Sequence, residues 1–275
     1  MKNLIFLLVT ILSISSIQSC QKVINVDLDT APPRLVIEAN INWQKGTNGN
    51  NQKIKLSTTT SYFSSAFPAV SGAVVQVKNG ANVVFSFLET IPNSGEYLCN
   101  NFSPTLNDTY TLTIVQNNQT YTATEKLMAV APITTIVQNN NGGILGKKVE
   151  IKTFFNDPAN ADNFYLYNYK YSNQLKPDYY VDRDKFYQGN TFFSISRNSD
   201  LKTGGIIDVT HIGISQAYYN YLAILLDIAG SSGGGPFQSP PATVKGNVVN
   251  QSTFDNYPLG YFSLSESDTR TYIIQ

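Results

Sequence analysis

Thr109-Tyr110-Thr111-Leu112-Thr113-Ile114 and Gln119-Thr120-Tyr121-Thr122-Ala123-Thr124 decide the fold class of this chain. In both, large apolar side chains alternate with hydroxyl-bearing ones. An extended chain sends successive side chains to opposite faces, so each stretch has one face to bury and one to wet. β-Branched and aromatic residues suit such a surface. Toward the amino terminus the pattern recurs in Glu96-Tyr97-Leu98, Val83-Val84-Phe85-Ser86-Phe87-Leu88, Ala73-Val74-Val75-Gln76-Val77-Lys78, Lys53-Ile54-Lys55-Leu56-Ser57 and Leu35-Val36-Ile37-Glu38-Ala39-Asn40-Ile41. About eight short strands with turn signals between them predict an immunoglobulin-like or prealbumin-like β-sandwich over residues 31–130.

Ala131-Pro132 resets the pattern, which places a domain boundary near 130. Beyond a soft Asn/Gly loop at 139–146, Val149 to Phe155, Asn163 to Tyr171, Phe192 to Ile195 and Ile206 to Val209 predict further strands. One helix stands out near 215–229. Ser215 is its N-cap, and Ala217, Tyr218, Tyr221, Leu222, Leu225 and Leu226 share one face. Gly230 ends it and Ser231 to Pro241 forms a Gly/Pro loop. The fold class is therefore mostly β. Residues 131–275 form a β-rich domain whose single amphipathic helix lays its Leu/Tyr face on the sheet.

The amino terminus decides location. Lys2 precedes an apolar run from Leu4 through Leu12. That run is shorter than the roughly 20 residues a membrane-spanning helix needs, and it has the n- and h-regions of a secretory signal. Ile17-Gln18-Ser19-Cys20 resembles a loose lipoprotein signal-peptidase site of the Bacteroidota type. Residues 1–19 are thus expected to be a signal peptide, Cys20 the lipidated residue and 20–30 the tether, with Val23 to Asp29 alternating like a strand. Gln21-Lys22 after the cysteine does not favour inner-membrane retention, so the expected place is the outer membrane, on either face.

Composition removes several function classes. Loss of the signal takes one cation, Lys2, leaving eighteen Lys+Arg against nineteen Asp+Glu. With no basic field to hold phosphates, nucleic acid is excluded as a partner. Cys99 is the only cysteine besides Cys20, so no internal disulfide is available if Cys20 carries lipid; Cys99 reads as a small buried hydrophobe. His211 is the only histidine. A Ser-His-Asp relay would need it, but no nucleophile-elbow motif surrounds a serine, and it reads as structural. With these two residues alone no zinc site is expected. Asp157, Asp178, Asp182 and Asp184 are the carboxylates a glycosidase-like pair could draw on. Asp178, Asp182 and Asp184 could also crowd oxygens around calcium, although no Asp-x-Asp-x-Asp-Gly loop is present. Asp182-Arg183-Asp184-Lys185 reads more simply as charges paired across a solvated surface, and Asp157-Pro158 as a turn into the next strand. No catalytic residue, metal or cofactor is assigned. The contact surface is expected from aromatic residues in loops: Tyr62, Phe63 and Phe67 in one cluster, Tyr179, Tyr180, Phe186 and Tyr187 in another. Such rings stack on sugars and anchor protein interfaces.

Cys20, then Pro33-Arg34-Leu35-Val36-Ile37-Glu38-Ala39, Val70-Ser71-Gly72-Ala73-Val74-Val75 and Gly95-Glu96-Tyr97, then Tyr218-Tyr219-Asn220-Tyr221-Leu222 and Pro258-Leu259-Gly260-Tyr261-Phe262, follow in an order that resembles a Bacteroidota lipoprotein family catalogued as domain of unknown function 4249. The resemblance spans nearly the whole mature chain. It departs at Asn107-Asp108 before Thr109-Tyr110, where a glycine is commoner; this alters a turn. The resemblance supplies no catalytic residues. It implies an outer-membrane lipoprotein working beside a TonB-dependent transporter. The expected function is therefore a non-catalytic binding or accessory subunit of such a transporter, with a carbohydrate or peptide ligand. The alternatives are a structural or adhesive surface protein, or a carboxylate-dependent hydrolase.

Overall fold

Alternating sequence becomes strand throughout the computed structural model, which describes residues 32–61, 64, 66–230 and 243–275. The expected signal peptide, Cys20 and tether, Tyr62, Phe63 and the Ser231 to Pro241 loop lie outside the described residues. The first seven strands are β1 (Leu35–Gln44), β2 (Gln52–Thr58), β3 (Val74–Lys78), β4 (Val84–Glu89), β5 (Glu96–Cys99), β6 (Thr109–Gln116) and β7 (Gln119–Met128). There follow β8 (Ile133–Gly142), β9 (Lys148–Asn156), β10 (Phe164–Tyr171), β11 (Asp178–Arg183), β12 (Thr191–Asn198) and β13 (Ile206–Ile214). Helix α1 (Gln216–Gly230), β14 (Val249–Asn250) and the long β15 (Leu259–Ile273) complete the order. The chain is mostly β, with one α-helix among the described residues.

The sandwich expected from residues 31–130 is closed by a strand from outside that range. Pairing runs β1-β2-β5-β4-β3-β6-β7. β15 lies parallel to β1, from Val36 opposite Leu259 to Gln44 opposite Ser267, and meets β7 at Leu264–Leu127 and Ser265–Met128. The eight strands thus form a ring, and β15 covers what would otherwise be two open edges. Inside it Ile37, Ile41, Ile54, Leu56, Val77, Leu112 and Ile114 pack with Phe262 and Leu264 of β15. Each such side chain is worth about 1.5–3 kcal/mol when fully buried. Two glycines let backbones meet. Gly95 has φ +66°, and a Cβ there would stand 2.3 Å from the Leu56 carbonyl oxygen. Gly260 has φ +92°, and its Cβ would stand 2.1 Å from the Ile37 oxygen, on the β1–β15 seam. Asn107 takes φ +65°, a left-handed turn that asparagine tolerates. Tyr97 and Tyr110 bury their rings and bond loop backbone: Tyr97 OH donates to Val70 O (2.9 Å), and Tyr110 OH accepts Thr105 N–H (2.8 Å).

β15 then continues past the ring. From Ser267 to Ile273 it pairs with β13, which pairs with β10, and β10 with β11. One face of this extension meets a three-stranded sheet, β12-β9-β8. There a second core gathers Ile151, Phe155, Tyr165, Tyr167, Tyr169, Tyr171 and Val209. The other face takes α1 through Leu166, Ile214, Tyr218, Leu222 and Tyr261. The core changes between Leu127 and Val130, but the sheet does not break there. Two buried acids of β15 fasten the crossing. Glu266 accepts Val130 N–H (3.0 Å) and pairs with Lys45 (2.7 Å); Asp268 accepts Ile133 N–H (2.8 Å) and pairs with Arg270 (3.2 Å). Buried charge is tolerated because each carboxylate has both a donor and a cation.

The helix begins as expected: Ser215 Oγ accepts the Tyr218 N–H (3.1 Å). On the expected face Tyr218 and Leu222 are buried and Tyr221 and Leu226 half-buried, whereas Leu225 is exposed. Among the described residues no helix is long and apolar enough to cross a membrane.

Candidate functional site

β10 reads Phe164-Tyr165-Leu166-Tyr167-Asn168-Tyr169-Lys170-Tyr171. Period two sends four tyrosines to the face covered by the small sheet, and that sheet's edge strand β12 answers with serines in the same rhythm. Tyr169 OH donates to Ser194 Oγ (2.6 Å), and the Tyr171 and Ser196 hydroxyls share a hydrogen bond. Tyr165 OH donates to Asp157 Oδ1 (2.6 Å), whose Oδ2 accepts Gly189 N–H (3.0 Å). Asp157, expected to make a local turn, thus ties a tyrosine to the loop before β12. Tyr187 OH donates to Asp182 Oδ2 (2.9 Å), and its ring lies flat on Phe192, centroids 3.8 Å apart. Burial pushes the Tyr171 hydroxyl up to about 12 and those of Tyr165, Tyr169 and Tyr187 higher still, so all four stay protonated and neutral.

His211 sits at the centre of this interior, fully buried, its ring 4.4 Å from Phe155, 4.5 Å from Tyr165 and 5.1 Å from Tyr167. Burial pushes its pKa down to about 3, the larger influence, while a polar contact with the Ala131 backbone pulls the other way. Neither ring nitrogen closes a hydrogen bond, nor do Thr153 Oγ1 and the Tyr167 hydroxyl, whose polar neighbour is Tyr187. A histidine with no carboxylate and no serine in hydrogen bond is not part of a relay.

The tyrosine interior reaches the surface beside β11. Between β11 and β12, the end strands of their two sheets, lies a cleft of about 200 Å³. Tyr167, Tyr169, Tyr180 and Phe193 supply its rings, Asp182 and Ser194 its polar groups. Tyr180 meets Tyr169 edge-on with centroids 5.9 Å apart, and half of Tyr180 is open to solvent. Flat rings beside one carboxylate and one hydroxyl suit a small uncharged molecule with a C–H face and several hydroxyls.

Of the second aromatic cluster expected from sequence, the four residues do not share one face. Tyr179 and Tyr180 are successive residues of a strand and face opposite ways. Tyr180 enters the cleft; Tyr179 lies on the face that carries Val181 and α1. Phe186 is 88% exposed, with Lys185 5.8 Å from its ring, and Tyr187 is buried. Phe67 is exposed on the ring of strands, before Pro68. The acids also differ from expectation. Asp184 is buried by the short turn after β11 and accepts Asn163 N–H (2.7 Å); burial raises its pKa. It is therefore not part of a solvated charge pair, and no ion pair links 182–185 among the described residues. Asp178 and Asp182 stand opposite Tyr169 and Tyr165, four residues apart along β11 and so roughly 13 Å apart. No three His, Cys, Asp or Glu side chains among the described residues are grouped to hold a metal ion.

Two features escaped the sequence reading. One is the cleft, whose signal was the matched rhythm of Tyr165, Tyr167, Tyr169 and Tyr171 with Ser194 and Ser196. The other is a groove of about 580 Å³ outside the ring, where β4 and β5 share only two residue pairs and Val84, Leu88 and Leu98 are exposed. Its signal was Val83 to Leu88, apolar on both faces.

The family described as Domain of unknown function (DUF4249) matches residues 21–271. No curated protein matches the chain. Among solved structures, a segment of two fibronectin type-III domains from chicken tenascin is similar at 11% identity, over 58% of this chain and 83% of that one, with a TM-score of 0.22.

Proposed function

We propose a function from the residues themselves, because the chain belongs to the family described as Domain of unknown function (DUF4249) and that description assigns none. The reading is a non-catalytic outer-membrane lipoprotein, held by lipid on Cys20, that serves as the binding or accessory subunit of a TonB-dependent nutrient transporter. It treats residues 31–130 as an immunoglobulin-like or prealbumin-like module and 131–275 as a second β-rich module with one helix. The change of core after Leu127 supports that division, and β15 fastens the two.

The observation that carries the binding role is the cleft between β11 and β12. Tyr180 offers a ring face that is already half-exposed, Tyr169 braces it, and Asp182 and Ser194, which already accept the Tyr187 and Tyr169 hydroxyls, keep further lone pairs for a ligand hydroxyl. A single pyranose fits these groups better than an extended peptide, which would need a longer groove and more backbone donors. Asp182 is the one carboxylate lining the cleft, whereas glycoside cleavage uses two across the scissile bond. That favours binding over hydrolysis.

The test is recovery of the tagged protein from native membranes in mild detergent. A co-purifying β-barrel transporter, together with a diacylated Cys20 in the intact mass, is the expected result. Recovery without any barrel partner would refute the transporter role and favour a structural or adhesive surface protein.

A further inference from the structure

Arg34 and Lys245 share one aromatic ring. The Arg34 guanidinium carbon lies 4.2 Å from the centroid of Tyr257, and Lys245 Nζ lies 4.0 Å from it. Arg34 also donates to the Tyr257 carbonyl (3.3 Å). Neither cation makes an ion pair among the described residues, and Asp255 on the same loop neutralises neither. A tyrosine face can hold one cation well; two cations on one ring leave net positive charge that an anion would complete.

Two exposed phenylalanines stand near this pair. Phe254, 76% exposed, lines a hollow of about 180 Å³ with Lys245 and Tyr257. Phe67, 66% exposed, precedes Pro68, whose carbonyl accepts Thr58 N–H (2.9 Å), and the next residue, Thr59, donates to Arg34 O (2.9 Å). One end of the strand ring therefore presents two unpaired cations and two bare rings. Rings that lose in water and gain in an interface, set beside cations that seek phosphate, make up the composition of a membrane-surface contact.

On the lipid-anchor reading, the described residues begin close in sequence to the anchor. Arg34 follows Cys20 by fourteen residues, a length that spans at most about 50 Å even when fully extended. We infer that the Arg34–Tyr257–Lys245 group, flanked by Phe67 and Phe254, rests on the anionic phospholipid surface of the membrane that holds the anchor. The inference builds on the lipid-anchor reading of Cys20. Phosphates occupy the positive pair, the phenylalanines enter the headgroup layer, and the protein is held in one orientation with its other surfaces clear.

The experiment uses the mature polypeptide from Gln21 made without lipid, since residues 33–275 form one compact unit. It is sedimented with vesicles of phosphatidylethanolamine and phosphatidylglycerol at 3:1, and with vesicles of phosphatidylcholine alone, in low and high salt. Several-fold more protein should sediment with the anionic vesicles, and the excess should vanish in high salt. Arg34→Glu and Lys245→Glu should each weaken anionic binding by about fivefold or more. Phe254→Ala should weaken it as well, and Arg34→Lys should retain it with unchanged melting. Equal sedimentation with both vesicle types, or a folded double Glu variant that binds as well as the parent, would overturn the inference. The anchor is read separately: an unmodified Cys20 in protein from native membranes refutes the anchor and leaves the vesicle result to stand or fall by itself.

Discussion

The two interiors of this chain are built from different chemistry. The strand ring is filled by Ile37, Ile41, Ile54, Leu56, Val77, Leu112 and Ile114, and its buried hydroxyls serve mainly at two tyrosine corners. The interior between the β10 sheet and β9/β12 is filled by four tyrosines of one strand, two serines of another, a histidine and the Asp157 carboxylate. The first is stabilised by removal of apolar area from water, which tolerates small shifts. The second depends on matched donors and acceptors, in which a lost partner costs more than a made bond gains. The first closes on itself; the second opens into a cleft. The proposed site and the strand ring belong to separate cores, and β15 joins them.

That contrast can be broken most forcefully in the ring. Ile37→Ala should cost about 2–5 kcal/mol and lower the melting point of the whole described fold, because Ile37 lies on the β1–β15 seam. A loss confined to the ring, with the tyrosine interior still protected in hydrogen exchange, would show the two cores to be uncoupled.

Acid should discriminate the cores next. His211 has its pKa pushed from 6.5 to about 3 by burial. The unfolded chain takes up a proton below about 6.5 and the folded one does not, so the stability present above 6.5 falls as pH drops toward 3. The slope is about 1.4 kcal/mol per pH unit, or roughly 2 kcal/mol between pH 7 and pH 5. His211→Leu should flatten that slope in denaturant titrations. An unchanged slope would mean that another group governs the acid response.

Smaller still is Tyr169→Phe. It removes the donor to buried Ser194 and should cost about 1 kcal/mol, read by chemical denaturation. Loss of several kcal/mol would mean that the tyrosine row acts as one unit.

These differences also explain what could be read from sequence. Strands with one wet face, such as β2 and β6, announce themselves by alternation, and α1 by Ser215 and its three-four spacing. β15 was legible in part, since the turn at Pro258-Leu259-Gly260 sends Tyr261-Phe262 onward as a strand, but its parallel pairing with β1, more than 200 residues away, is not a local property, and that left the ring open in the sequence reading. The tyrosine row was legible as a strand, but its partner serines lie 25 residues away and strand pairing is not a local property. Tyr179-Tyr180 looked like one cluster because adjacency in sequence was taken for adjacency in space; a strand separates such neighbours. Asp184 looked solvated because the turn that buries it leaves no mark beyond the charge pattern itself.

The most direct measurement is saturation-transfer NMR of the protein with methyl glucoside, methyl galactoside, methyl mannoside and N-acetylglucosamine, on the parent and on Tyr180→Ala. The parent should transfer saturation to the C–H face of at least one pyranoside, and Tyr180→Ala should abolish it while melting within a degree or two of the parent. Transfer that survives in the variant, or no transfer to any of the four sugars, would contradict the assignment of the β11–β12 cleft as the binding site.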